Sequence, residues 1–192
     1  MSLKANWNFP THIRICSGRL KEIGQCCSDL SIFNPLVVTD KNLGDSEITT
    51  ILRNKLNSLK LPHSVFSQVD SNPTEINLIQ GLEILKEGGF DGVIAFGGGS
   101  ALDLGKLLAF MIAQDLPVWE FEDLSDNWKR ANTQGILPII AIPTTAGTGS
   151  EVGRAGVLTD SINKMKKVIC HQEMLAKSVI CDTTLSFKLP QK

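Results

Sequence analysis

Val93-Ile94-Ala95-Phe96-Gly97-Gly98-Gly99-Ser100, continuing as Ala101-Leu102-Asp103-Leu104-Gly105-Lys106, decides how this chain folds. An apolar, β-capable run passes straight into three glycines and then into a helical pattern over 101–113. Residues without Cβ let an anion approach the backbone closely. The helix start adds unpaired N–H groups at the positive end of its dipole. Ser100 is placed to cap that helix or to donate to a phosphate oxygen. The competing reading is a tight strand-to-helix turn with Ser100 as its N-cap and no ligand at all. The spacing departs from the G-x-G-x-x-G fingerprint, whose acid follows about twenty residues later; here the candidate acid, Asp40, comes before the glycines.

Outward from this stretch, short apolar runs at 13–16, 36–39, 64–66, 92–96 and 139–142 alternate with helical patterns near 19–28, 46–59, 74–88 and 100–113. That alternation predicts an α/β fold, a parallel sheet with helices on its faces. Val157 to Asp160 and Lys166 to Ile169 predict a β-hairpin, and Ser178 to Cys181 a last strand. Ile76, Ile79, Leu82 and Leu85 form the expected apolar stripe of the helix that starts at Thr74. Residues 114–135 read as a long loop packed by Trp119, Phe121 and Trp128, and Ser150-Glu151-Val152 as a short helix. In parallel sheets of this kind ligands sit beyond the carboxyl ends of the strands, where Asp40, Gly97 to Ser100 and Thr144-Thr145 fall.

With 192 residues, 42% hydrophobic content and a net charge of −1, the chain is expected to form one domain over 1–192. Its charges are dispersed, so nothing points to nucleic acid or to a membrane surface. Met1 to Asn6 carry no apolar leader and no segment reaches about 20 apolar residues, which makes the cytoplasm the expected location. Cysteines 16, 26, 27, 170 and 181 read as reduced thiols, with Cys16, Cys170 and Cys181 in apolar, strand-like surroundings. His12, His63 and His171 have no partner at metal-ligand spacing and read as surface or turn histidines.

Two clusters carry chemistry beside the glycines. A carboxylate at the end of a strand, Asp40, could accept both hydroxyls of a ribose and repel a 2′-phosphate, or else cap the following turn. Thr144, Thr145 and Thr148 bring three hydroxyls beside Gly147 and Gly149, able to grip a ligand without adding charge or to satisfy their own turn. Asp103 and Lys106 stand i,i+3 and are expected to pair and hold the loop.

Gly97-Gly98-Gly99-Ser100-x-x-Asp103-x-x-Lys106 and Ile142-Pro143-Thr144-Thr145-Ala146-Gly147-Thr148-Gly149-Ser150-Glu151-Val152 closely resemble the two signature stretches of the iron-containing (group III) alcohol dehydrogenases. Lesser agreements run through Gly18-Arg19-Leu20, Val38-Thr39-Asp40 and Asp70-Ser71-Asn72-Pro73-Thr74 to Leu189-Pro190. The resemblance implies the Rossmann-like, dehydroquinate-synthase-like N-terminal domain of that family, with a small β-hairpin. It implies NAD as cofactor, with NADP possible, held by Asp40, Asn72, Gly97, Gly98, Gly99, Ser100, Thr144, Thr145, Thr148 and Lys166. Lys164 and Lys167 have no family counterpart. The chain departs from the family at Gly153-Arg154, where a Thr or Ser and a small residue are frequent, and at Asp182-Thr183, where Asp-Pro is usual.

The family's metal, Fe2+ or Zn2+, is held by one Asp and three His of a helical second domain, beginning shortly after the position matched by Leu189-Pro190. The resemblance therefore implies that the metal ligands lie outside this chain and that the chain is a nucleotide-binding half. The implied parent reaction moves hydride between NAD(P) and a small alcohol or aldehyde, in an enzyme expected to be a homo-oligomer. A glycerol-dehydrogenase-like or dehydroquinate-synthase-like fragment, or a nucleotide-binding module without chemistry, are the alternatives.

Overall fold

The structure is a computed structural model that describes residues 10–186. Strands β1 (His12–Ile15), β2 (Pro35–Asp40), β3 (Ser64–Val69), β4 (Gly92–Gly97), β5 (Ile139–Pro143) and β8 (Ser178–Cys181) form one parallel sheet in the order β1-β8-β5-β4-β2-β3. Strands β6 (Ala155–Asp160) and β7 (Met165–Cys170) form the expected hairpin, longer than the sequence pattern marks. Helices α1 (Ile23–Asp29), α2 (Glu47–Ser58), α3 (Glu75–Gly88) and α4 (Gly99–Met111) connect the strands. This is a Rossmann-like α/β domain with a hairpin laid against one face.

The sheet is covered twice. On one face Val38, Phe66, Val93, Ala95, Ala141 and Val179 pack with Leu78 and Leu85 of α3 and the apolar side chains of α4. On the other, Val37, Ile94, Phe96, Ile140, Ile142 and Ile180 pack with Ile23 and Cys26 of α1 and Leu52 and Leu56 of α2. A strand buried on both sides has no polar face, which is why Gly92 to Gly97 reads as an unbroken apolar run and is buried throughout. Helix α4 is apolar almost all round for the same reason, since it lies between the sheet and β6. Gly156 brings β6 close, because a Cβ there would stand 2.7 Å from Leu107 Cγ.

Several expectations need correction. The buried face of α3 is Asn77, Leu78, Gly81 and Leu85, whereas Ile76 and Ile79 are more than half exposed. The helix is rotated because Asn77 turns inward: its amide donates to Gln68 O and to the Asp70 carboxylate, and its Oδ1 accepts from Thr74 N. Residues 114–135 hold two 3-10 turns, Val118–Phe121 and Asn127–Arg130. Phe121 is buried edge-on against Phe110 at 5.2 Å, but Trp128 is exposed and does not pack the loop. Ser150-Glu151-Val152 forms a turn, not a helix. Cys16 is exposed rather than set in apolar surroundings. His171 is buried against the Phe110 ring, which pushes its pKa down by desolvation. Met1 to Asn6 and Leu189-Pro190 lie outside the described residues, and among those described no helix is long and apolar enough to cross a membrane.

Candidate cofactor-binding site

At the carboxyl edge of the sheet the chain makes its turn from β4 into α4 with no cap. Gly98 occupies the N-cap position, and no side chain accepts from the first turn. The first helical bond runs from Leu102 N to Gly98 O, so the N–H groups of Gly99, Ser100 and Ala101 have no intrahelical partner. Ser100 is not the cap expected of it. It sits inside the first turn, and its hydroxyl donates to Ser71 O at 2.6 Å, tying the loop after β3 to the helix.

The three glycines have different reasons. Gly97 has φ 143°, a conformation side chains rarely adopt, and a Cβ would stand 2.9 Å from Ala101 Cβ. Gly99 is tight against Thr148, at 3.2 Å from its Cγ2. Gly98 is required by neither backbone nor neighbours. Its φ of −77° suits any residue, and a Cβ would meet only the Thr145 side chain, at an ordinary 3.5 Å from Oγ1. A position that the fold leaves free for a side chain, above an open helix start, is one that can admit an anionic ligand close to the backbone.

Around this turn the sequence-predicted residues gather in two groups. Asn72, Gly99, Ser100 and Lys166 line one cavity of about 310 Å³ together with Ser71, Pro73, Asp103, Val157 and Thr159. Asp40, Thr144, Thr145 and Thr148 stand outside that cavity, on the glycine turn itself. Thr145 and Thr148 lie over Gly98 and Gly99. Thr144 is buried, and its N–H is spent on Gly97 O at 2.9 Å. Asp40 Oδ1 accepts from Asn42 N and Leu43 N, both at 3.1 Å, while Oδ2 faces the turn, 3.2 Å from where a Gly97 Cβ would stand.

Alternation along β7 separates its lysines. Lys167 is held by Asp160 at 3.1 Å and Glu122 at 3.4 Å, over the Trp119 ring. Lys166, opposite Thr159 in the hairpin, is exposed at the cavity and makes no ion pair among the described residues. Val157 and Thr159 were missed in the sequence, although their period-two spacing on β6 turns them to the same side. Nothing in the sequence marks the carbonyl of Ser71.

The expected Asp103–Lys106 pair forms at 3.0 Å, and Lys106 is 2% exposed. Burial pushes the Lys106 pKa down and the Asp103 carboxylate pulls it back up. Its ammonium donates to Ser150 O at 2.9 Å, Gly153 O at 3.4 Å and Ala155 O, while Asp103 accepts from Ser150 Oγ and, at 3.1 Å, from Val157 N.

An anionic, diphosphate-bearing ligand fits this arrangement: an open helix N-terminus, a glycine with space above it, one free lysine and hydroxyls on two sides. A metal ion does not. Among the described residues no group of three His, Cys, Asp or Glu side chains could hold one.

Over residues 10–183 the chain matches the family model described as iron-containing alcohol dehydrogenase. It is 32% identical over 183 residues to the 4-hydroxybutyrate dehydrogenase of Cupriavidus necator, covering 95% of this chain and 47% of that protein. The NAD-dependent methanol dehydrogenase of Bacillus methanolicus is 26% identical over 185 residues, with 96% and 47% covered. The crystal structure of sulfoacetaldehyde reductase from Bifidobacterium kashiwanohense in complex with NAD+ superposes with a TM-score of 0.87 at 30% identity, covering 98% of this chain and 49% of that one. The chain thus spans about half the length of these relatives. The glycine turn, the threonine loop and the sheet that brings them together agree with the match over nearly the whole chain: it belongs to the iron-containing alcohol dehydrogenase family.

Proposed function

We propose that this chain is the nucleotide-binding half of a metal-dependent alcohol dehydrogenase, taking NAD(H) in preference to NADP(H) and working in the cytoplasm. The observation that carries the reading is the uncapped start of α4 beneath Gly98, where the fold leaves space that no side chain uses. The amides of Gly99, Ser100 and Ala101 would receive the pyrophosphate, with the helix dipole aligned toward its charge. Asp40 Oδ2 would accept the adenosine ribose hydroxyls, and Thr145 and Thr148 would close over the diphosphate. Lys166 and Asn72 would line the nicotinamide-ribose side of the cavity.

Bound NAD supplies a hydride acceptor at the nicotinamide C4. This chain's residues bind and orient it; no step is assigned to a metal, because the described residues do not form a metal site. A small alcohol or aldehyde is the substrate class proposed for the whole enzyme, along with homo-oligomeric assembly. The relatives' names, from methanol to 4-hydroxybutyrate, show that the family's substrates differ widely.

The test is calorimetric titration of the chain with NAD+, ADP and nicotinamide separately. NAD+ and ADP should bind and compete, since they share the adenosine diphosphate, and nicotinamide alone should give no heat. The chain by itself should turn over no alcohol, with or without added Fe2+ or Zn2+. Absence of NAD+ binding up to millimolar concentration would overturn the assignment.

A further inference from the structure

The loop that carries Thr145 and Thr148 is held almost entirely from its two ends. From Thr145 to Gly149 the hydrogen bonds among the described residues run only to the segment that follows, from Ser150 N to Thr148 Oγ1 and from Val152 N to Gly149 O, and Gly147 and Gly149 have φ of 98° and 68°. One end is anchored by Thr144 N on Gly97 O at 2.9 Å. At the other, Ser150 is gripped twice: its hydroxyl donates to Asp103, and its carbonyl accepts from Lys106 at 2.9 Å. Ser150 N in turn donates to Thr148 Oγ1 at 3.3 Å, and the Thr148 side chain rests on Gly99. A continuous path therefore runs from the second turn of α4 through Ser150 to the threonine above the glycine turn.

A buried ammonium is a costly way to fill space, and an apolar side chain would do so without losing ion hydration. What the cation adds is direction. One carboxylate and three carbonyls around a single Nζ fix the path of residues 150–155, because backbone oxygens left buried without a donor would be penalised.

We infer that Lys106 is a positioning residue which, with the Asp103 carboxylate, forms a latch on Ser150 that sets where Thr148 closes over the glycine turn and so tunes cofactor affinity through the loop. This inference rests on the binding site proposed above for its affinity readout, and on the geometry alone for its loop readout.

The test uses the whole chain with Ser150→Ala, Lys106→Met, Thr148→Ala and the Ser150→Ala/Thr148→Ala double variant. It measures amide hydrogen exchange by residue and NAD+ affinity by calorimetry. Ser150→Ala removes a single partly exposed hydroxyl and carries the test if Lys106→Met does not fold. The expected result is exchange on the order of tenfold faster at the hydrogen-bonded amides of Ser150, Val152 and Gly153 with β4 and β5 unchanged, and NAD+ binding weakened about tenfold. Because the latch acts through Thr148, Ser150→Ala should cost little further affinity once Thr148 is alanine. Unchanged exchange in Ser150→Ala, or an affinity cost equal with and without Thr148, would overturn the latch. A wild-type chain that binds no NAD+ would instead overturn the site assignment, leaving loop exchange to decide the latch.

Discussion

Asp40 Oδ1 closes the turn after β2 by accepting from Asn42 N and Leu43 N, which leaves Oδ2 facing Gly97. Both readings of this residue from sequence, turn cap and ribose acceptor, are therefore compatible, because a carboxylate has two oxygens. The two roles separate by substitution. Asp40→Asn keeps an acceptor for the turn and loses the charge that would repel a 2′-phosphate, so the variant should melt like the wild type. Its affinity for NADP relative to NAD should rise about tenfold, or about 1.4 kcal/mol. Asp40→Gly should show the same shift in preference and also lose about 1 kcal/mol of stability with the turn bonds. Equal weakening of both cofactors by Asp40→Asn would refute the specificity role. Ser100 illustrates the limit of reading at this scale. A Ser beside three glycines before a helix is a sound N-cap pattern, but the acceptor its hydroxyl finds, Ser71 O, is brought there by a different strand.

Strands and helices were legible where burial alone decides them, as in β2, β4 and β5, whose apolar runs are buried on both faces. The face of α3 was not legible. Ile76 and Ile79 continue a helical stripe in sequence, yet Asn77 takes the inward position through bonds to Gln68 and Asp70 that only the folded chain provides. His171 was misplaced for the same reason, since the Phe110 ring that buries it lies 61 positions away. The hairpin carries a pH-dependent fastening. Asp160 accepts from the backbone and side-chain nitrogens of Asn163 and pairs with Lys167, holding its carboxyl down at about 2. A carboxylate lowered in the folded state contributes stability above its unfolded value of about 3.9, and that contribution is lost as pH falls toward 2. Asp160→Asn should therefore lower the melting temperature at pH 7, and the gap from wild type should narrow between about pH 4 and 2. A gap independent of pH would show that the carboxylate's charge is not what fastens the hairpin.

The whole molecule is a two-faced sheet whose carboxyl edge collects Asp40, the glycine turn and the threonine loop, while the hairpin adds Lys166 from outside the sheet. That convergence could be read from strand order logic, but not the hairpin's packing on α4, which depends on Gly156 and the Lys106 cradle. The chain spans about half of its relatives' length, and the claim we propose for it is cofactor binding. The most direct measurement of that claim is thermal melting of wild type and Gly98→Ala, each with and without NAD+. The fold accepts an alanine at 98, where φ is −77° and the nearest contact 3.5 Å. The variant should thus be more stable than wild type by about 0.4–1 kcal/mol through its less flexible unfolded chain. NAD+ at a hundred times its Kd should raise the wild-type melting temperature by about 5–10 °C. Gly98→Ala should gain almost nothing from the same NAD+, because the methyl group occupies the space above the helix amides. A variant that melts higher and is still stabilised by NAD+ as strongly as the wild type would contradict the account, since the diphosphate would then have to lie away from the glycine turn.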